Sequence, residues 1–160
     1  METMRRARQQ LSESGCLHIL DTANEGVLCL SSVDGWPYGV PLNFVYEEGK
    51  IFFHCAKEGK KIDLIRQNPK ACLTVIDERT ILPEQYSTAY SSIMAFGTCT
   101  EIDDPKQKAI ILKKITDKFC ADMPAERTDQ VIQKSLEGVG IIEMNVERLT
   151  GKHSKYLNID

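Results

Sequence analysis

Nothing in these 160 residues approaches the ~20 consecutive apolar residues that a membrane-spanning helix needs; the longest runs, such as Val27 to Leu30 and Gly140 to Ile142, are far shorter. The polar start METMRRARQQ has no apolar segment behind it, so the chain is expected to be cytoplasmic, with no membrane partner. A basic stripe is missing too: the net charge is −3, and lysines and arginines are interspersed with acids, which argues against a nucleic-acid partner. The six cysteines, at 16, 29, 55, 72, 99 and 120, include no CxxC pair and no zinc-knuckle spacing. They read as reduced and mostly buried small hydrophobes, Cys29, Cys72 and Cys99 within apolar strand-like runs, and no metal site is expected. No Gly-x-Gly-x-x-Gly fingerprint marks a tightly held nicotinamide, and no repeat or low-complexity tract divides the chain. What remains is one ordinary globular domain over residues 1–160.

Its pattern is mostly that of short antiparallel strands. A capped amphipathic helix is expected over Ser12 to Ala23, and Gly26 to Ser32 reads as a strand that turns at Asp34-Gly35 and pairs with Tyr38 to Tyr46. Val40, Leu42, Phe44 and Tyr46 recur at period two, and Ile51, Phe53 and Cys55 resume the alternation after Glu47-Glu48-Gly49-Lys50, which predicts a second hairpin. A helix over Lys61 to Asn68 stops at Pro69, and strands follow at Ala71 to Asp77 and Ser91 to Glu101, the latter bent at Gly97. Glu78 to Ala89 reads as a loop. Helices from Pro105 and over Thr128 to Leu136 precede a last strand, Gly140 to Val146. About six antiparallel strands with flanking helices suggest a small barrel.

One stretch carries chemistry. The second hairpin runs into Gly59-Lys60-Lys61, where a permissive glycine, two ammonium groups and the first-turn amides of a helix together form a cradle for a phosphorylated ligand. The plainer reading is a surface helix with two solvated lysines. Cys55 borders this cradle.

Read together and in order, several short motifs resemble one family. They are Met4-Arg5-Arg6; Gly35-Trp36-Pro37-Tyr38 with Val40-Pro41-Leu42-Asn43-Phe44; and Phe53-His54-Cys55-Ala56 with Gly59-Lys60-Lys61 and Asn68-Pro69. Tyr90-Ser91-Ser92 with Gly97 and Leu149-Thr150-Gly151-Lys152 complete the set. The resemblance is to the pyridoxamine 5′-phosphate oxidase-like proteins, nearest to their nitroimidazole-resistance branch. It implies a mainly β fold, a six-stranded antiparallel FMN-binding split barrel of Greek-key type, assembled as a homodimer with FMN at the subunit interface. By the same resemblance, Pro41, Leu42, Asn43 and Phe44 would lie along the flavin ring, Asn43 adding its side chain. His54, Cys55 and Ala56 would border the ring and ribityl chain, Lys60 and Lys61 would hold the phosphate, and Ser91 and Ser92 would add hydroxyls from either subunit. Lys60 stands where the wider family often has arginine, which exchanges a bidentate grip for a point charge. The tail GKHSKYLNID has no arginine beyond Arg148 for a substrate phosphate, so pyridoxamine phosphate oxidation is not expected.

The reading is therefore an FMN-dependent oxidoreductase acting on a small molecule, a nitro-aromatic acceptor by resemblance. His54 is the candidate catalytic residue, placed to donate a proton or to hydrogen-bond a nitro or carboxylate oxygen. On pattern alone His54 is an exposed strand residue beside Phe52, Trp36 a hydrophobic anchor, Tyr90 a rim residue or a flavin neighbour, His18 a surface group, and Arg5 and Arg6 a solvated arm. The alternative function, from another class, is a non-catalytic flavin- or haem-binding protein of the same barrel.

Overall fold

The Ser12 hydroxyl accepts the Gly15 amide at 3.1 Å and so caps α1 (Glu13–Thr22), whose apolar face buries Cys16, Ile19 and Leu20. The structure is a computed structural model and describes residues 6–157; Arg5 lies outside the described residues, and Arg6 is exposed. After α1 the chain forms β1 (Glu25–Ser31), β2 (Pro37–Asn43), β3 (Val45–Glu47) and β4 (Lys50–Ala56). A short helix, α2 (Lys60–Gln67), leads to the long strands β5 (Lys70–Leu82) and β6 (Ser87–Ile102), then to α3 (Pro105–Phe119), α4 (Ala125–Ser135) and β7 (Val139–His153).

The seven strands form one antiparallel sheet in the order β2-β1-β5-β6-β7-β4-β3. The sheet curls until β2 touches β4, yet no ladder joins them, so the barrel is split and not closed. Strict alternation puts Leu28, Leu30, Leu73, Val75, Ile93 and Ala95 on the concave face, where Phe53, Ile142 and Met144 meet them and α1 and α2 plug the barrel with Leu20, Ile62 and Leu64. A second core lies outside the barrel. There Ile111, Leu112, Ile115 and Ile132 of the two long helices cover Val45, Phe52 and Ile141.

Two expectations about the strands change. Six strands become seven, because the run from Val40 to Tyr46 is broken at Phe44: the part before it pairs with β1, and Val45 to Glu47 pair with β4. Each of the two expected hairpins thus takes half of the run. The expected loop at Glu78 to Ala89 is instead a continuation of β5 and β6 as a two-stranded arm, turned by a 3₁₀ segment at Pro83–Gln85 and an αL residue at Tyr86. Cys99 is buried as expected, but Cys29 is exposed and Cys72 only half-buried, since both point to the convex face. Trp36 is 73% exposed and anchors nothing within the chain.

Gly97 sits where the β6–β7 register shifts, and a Cβ there would lie 2.0 Å from the Asn145 carbonyl oxygen. Gly97→Ala must push two ladder strands apart, and it should lower the unfolding free energy by about 3 kcal/mol in urea titration. Gly138, around which nothing lies within 4 Å, is the control; Gly138→Ala should stay within about 0.5 kcal/mol of the parent.

Candidate functional site

The split is where unpaired backbone collects. β2 pairs along one side only, with β1, so its outer edge leaves alternate N–H and C=O groups without ladder partners; Pro37 and Pro41 have no N–H to leave free. β4 bonds to β7 throughout but to β3 only from Lys50 to Phe52, so Phe53 to Ala56 also have a free edge. These two edges approach each other across the split. Leu42 and Cys55 turn inward and pack against the barrel core, whereas Pro41, Asn43, His54 and Ala56 face outward and are exposed. β2 is seven residues long, ~20 Å of strand. A flat ring with a chain and a terminal anion can lie along such a seam.

The anionic end is defined by α2. Gly59 holds φ at +119°, a conformation open to glycine, and its carbonyl accepts from the Ile62 and Asp63 amides. The amides of Lys60 and Lys61 therefore precede the first intrahelical acceptor and point out of the helix start. Lys60 is exposed and Lys61 half-buried. Asp34, on the β1–β2 turn, lies close enough to feel Lys60; hydrogen bonds from Ser32 and the Trp36 amide, more than that lysine, hold its carboxyl below the usual range. Burial pushes the Cys55 thiol up, opposed by Lys61 and reinforced by Glu101, which places all three at one corner. Glu101 is itself held by Arg66 through two bonds of 2.7 and 2.8 Å. Arg66 is thereby committed, while Lys57, Lys60 and Lys61 have no acid partner among the described residues and are open to an anion.

Some nominated residues are already engaged. The Asn43 side-chain amide donates to the Asn24 carbonyl at 3.2 Å, leaving its Oδ1 as the free end. Phe44 is buried, its amide donates to Asn24 and its carbonyl accepts from Lys118, so neither main-chain group is left for a ligand. Ser91 is buried on the concave face, where its hydroxyl donates to Asp77 Oδ2 at 2.8 Å and accepts the Glu78 amide. Ser92 points the other way, onto the convex face beside Ile76 and Lys152. Eight residues of β6 lie between Ser92 and Glu101, roughly 30 Å of strand, so one chain does not bring its serines to its own lysines.

Among the described residues the hollows only skirt the seam: one of about 110 Å³ lies beside Arg66 and Glu101, and one of about 260 Å³ is lined by Ser91, Asp77 and His18. One of about 390 Å³ opens between α1 and β7, lined by residues such as Leu11, Leu20, Tyr46 and Arg148, and none of the nominated residues lines it. The candidate site is an open seam and not an enclosed cavity. Sequence reasoning missed Lys118, whose only signal is its spacing: a lysine three residues after Ile115 interrupts the apolar stripe of α3.

Residues 12–153 match the pyridoxamine 5′-phosphate oxidase family, and the chain belongs to it. No curated protein matches. Solved structures share the fold. A candidate 5-nitroimidazole antibiotic resistance protein from Bacteroides thetaiotaomicron is 23% identical with a TM-score of 0.75, over 90% of this chain and 86% of its own. A conserved hypothetical protein from Mycobacterium tuberculosis reaches a TM-score of 0.82 at 14% identity, over 99% and 94%. An FAD- and haem-binding protein from Mycobacterium smegmatis gives 0.76 at 20% identity, over 95% of this chain and 76% of its own.

Proposed function

We propose that the protein is a flavin-dependent oxidoreductase that binds FMN along the split and passes electrons to a small nitro-aromatic or similar acceptor. The observation that carries this is the seam itself: two unpaired strand edges that end on the paired lysines at the start of α2. The free main-chain groups of β2 suit the polar edge of a flavin ring, and Lys60 and Lys61 suit its phosphate. When bound, the flavin supplies the two-electron chemistry; the chain binds it, orients it and shields it from water. His54 stands outward on β4 beside the ring position, where its imidazole would donate a proton or a hydrogen bond to the acceptor. Similarity to the Bacteroides resistance protein supports the nitro-aromatic class, and similarity to the Mycobacterium smegmatis protein supports a flavin.

The seam needs a cover, and a second copy is the proposed one. Val27, Ile76 and Met94 are exposed together on the convex face, with Pro41 opposite Val27 and Ser92 opposite Ile76. Burying this strip in a homodimer would remove apolar surface from water and would bring Ser92 of the second subunit toward the seam.

The cradle is tested by Lys61→Ala, which should weaken FMN by ~1.5–3 kcal/mol in a fluorescence titration, the worth of a charge-assisted contact. Riboflavin, without the phosphate, should bind both proteins alike. An unchanged FMN affinity would move the phosphate elsewhere, and a purified protein showing a Soret band and no flavin would favour the haem-binding alternative.

His54→Ala separates substrate handling from cofactor binding. Its FMN affinity should stay within about tenfold, ~1.4 kcal/mol, while anaerobic reoxidation of the reduced protein by a nitro-aromatic should slow ~10²–10⁴-fold. An unchanged reoxidation rate would leave His54 a bystander on the strand.

The dimer is read through cysteine. Cys29 and Cys120 are both exposed in the single chain, but only Cys29 lies on the strip to be covered. Iodoacetamide should alkylate Cys120 readily and Cys29 slowly, with Cys29 catching up on dilution. Cys99, whose thiol burial pushes up to about 12, should react only after unfolding.

A further inference from the structure

Lys118, near the end of α3, turns its ammonium into the body of the domain beside the split. Its Nζ donates to the Ala23 carbonyl at 2.5 Å, to the Phe44 carbonyl at 3.3 Å and to the Asp21 carbonyl at 3.4 Å. It also stands 5.0 Å above the Phe44 ring and 5.6 Å above the Phe119 ring. Two of the three carbonyls belong to the end of α1, and capping a helix C-terminus would account for them. It does not account for the third. Phe44 is the residue at which the chain passes from β2, on one side of the split, to β3, whose partner β4 forms the other side.

Residue 44 is fixed from every direction. Its carbonyl and ring face Lys118, its amide bonds to the Asn24 carbonyl, and the preceding Asn43 side chain donates to that same oxygen. An ammonium with three N–H groups and three carbonyl acceptors is a rigid tripod. Putting a charge there carries a desolvation cost, which lowers the ammonium's affinity for its proton, and an apolar residue continuing the stripe of α3 would avoid it.

We propose that Lys118 is a positioning residue for the flavin: by holding Phe44 to the end of α1 it sets the spacing of the two unpaired edges between which the ring lies. This rests on the flavin reading above. Lys118 touches no ligand; it acts through Asn43 and Phe44 on the strand that does.

The test compares Lys118→Met, which keeps length and loses the ammonium, with Lys118→Arg, which keeps charge and donors. In the flavin-free protein, hydrogen exchange of the peptide covering residues 40–47 should speed up in the Met variant and return toward wild type in the Arg variant. FMN affinity should fall roughly tenfold or more in the Met variant, with a shifted visible spectrum for the flavin that still binds, and the Arg variant should recover both. A Met variant that is less stable to urea, yet exchanges normally over 40–47 and binds FMN with wild-type affinity and spectrum, would make Lys118 a helix cap alone. Should the Met variant fail to fold, Lys118→Gln, which keeps a donor but loses the charge and the third N–H, carries the decision: faster exchange over 40–47 and a shifted flavin spectrum are expected, and normal exchange with an unshifted spectrum overturns the proposal. Wild-type protein that binds no flavin would remove the reading on which the proposal rests, and normal exchange over 40–47 in the Met variant would remove the proposal itself.

Discussion

At Phe44 the backbone leaves β1 and takes up β4, and most of what distinguishes this barrel follows from that exchange. Had the run continued beside β1, the sheet would have had one long edge at β2 and no reason to curl back on itself. Because β3 is only three residues long, it satisfies β4 for half its length and then stops, leaving Phe53 to Ala56 opposite the bare edge of β2. A buried aromatic at the crossing, with both main-chain groups bonded, keeps this irregular backbone from carrying unmet polar groups into the core.

The outside of the barrel is covered unevenly. α3 and α4 screen Val45, Phe52 and Ile141, so that part of the convex surface behaves as a second core. Over β1, β5 and the middle of β6 there is no such cover, and Val27, Ile76 and Met94 stay in contact with water. Among the cations near the split a similar division holds: Arg66 is tied to Glu101 and Lys118 to backbone carbonyls, while Lys60 and Lys61 have no acid partner among the described residues.

Much of this was legible from the residues. Period two in Ile51, Phe53 and Cys55 identified the inward face of β4 and left His54 and Ala56 outside; Gly97 marked the bend in β6; Ser12 and Pro105 marked helix starts. The break at Phe44 was not legible, because it is imposed by Asn24 and Lys118, 20 and 74 residues away, while the local alternation runs on without interruption. The arm beyond Asp77 was missed for a different reason. Where both faces of a ribbon meet solvent there is no inside for the side chains to alternate toward, so Arg79 to Ile81 look like a loop although their backbone is paired. Ser91 and Ser92 were nominated together, but adjacent strand residues face opposite ways, and the neighbouring ladders decide which one faces out. The split and its lysine end could be anticipated from the chain and the family it resembles; which groups along it were already spoken for could not.

The absence of a ladder between β2 and β4 also has a mechanical side. A closed barrel resists radial strain through hydrogen bonds around its whole girth, so widening it anywhere breaks several at once. Here one joint of the hoop has strands that approach without a ladder, clamped at the Phe44 end and unclamped toward Pro37 and Ala56. Its stiffness is therefore graded along its length, like tongs sprung at one end, so the joint can widen at the compliant tip without any strand losing its neighbour.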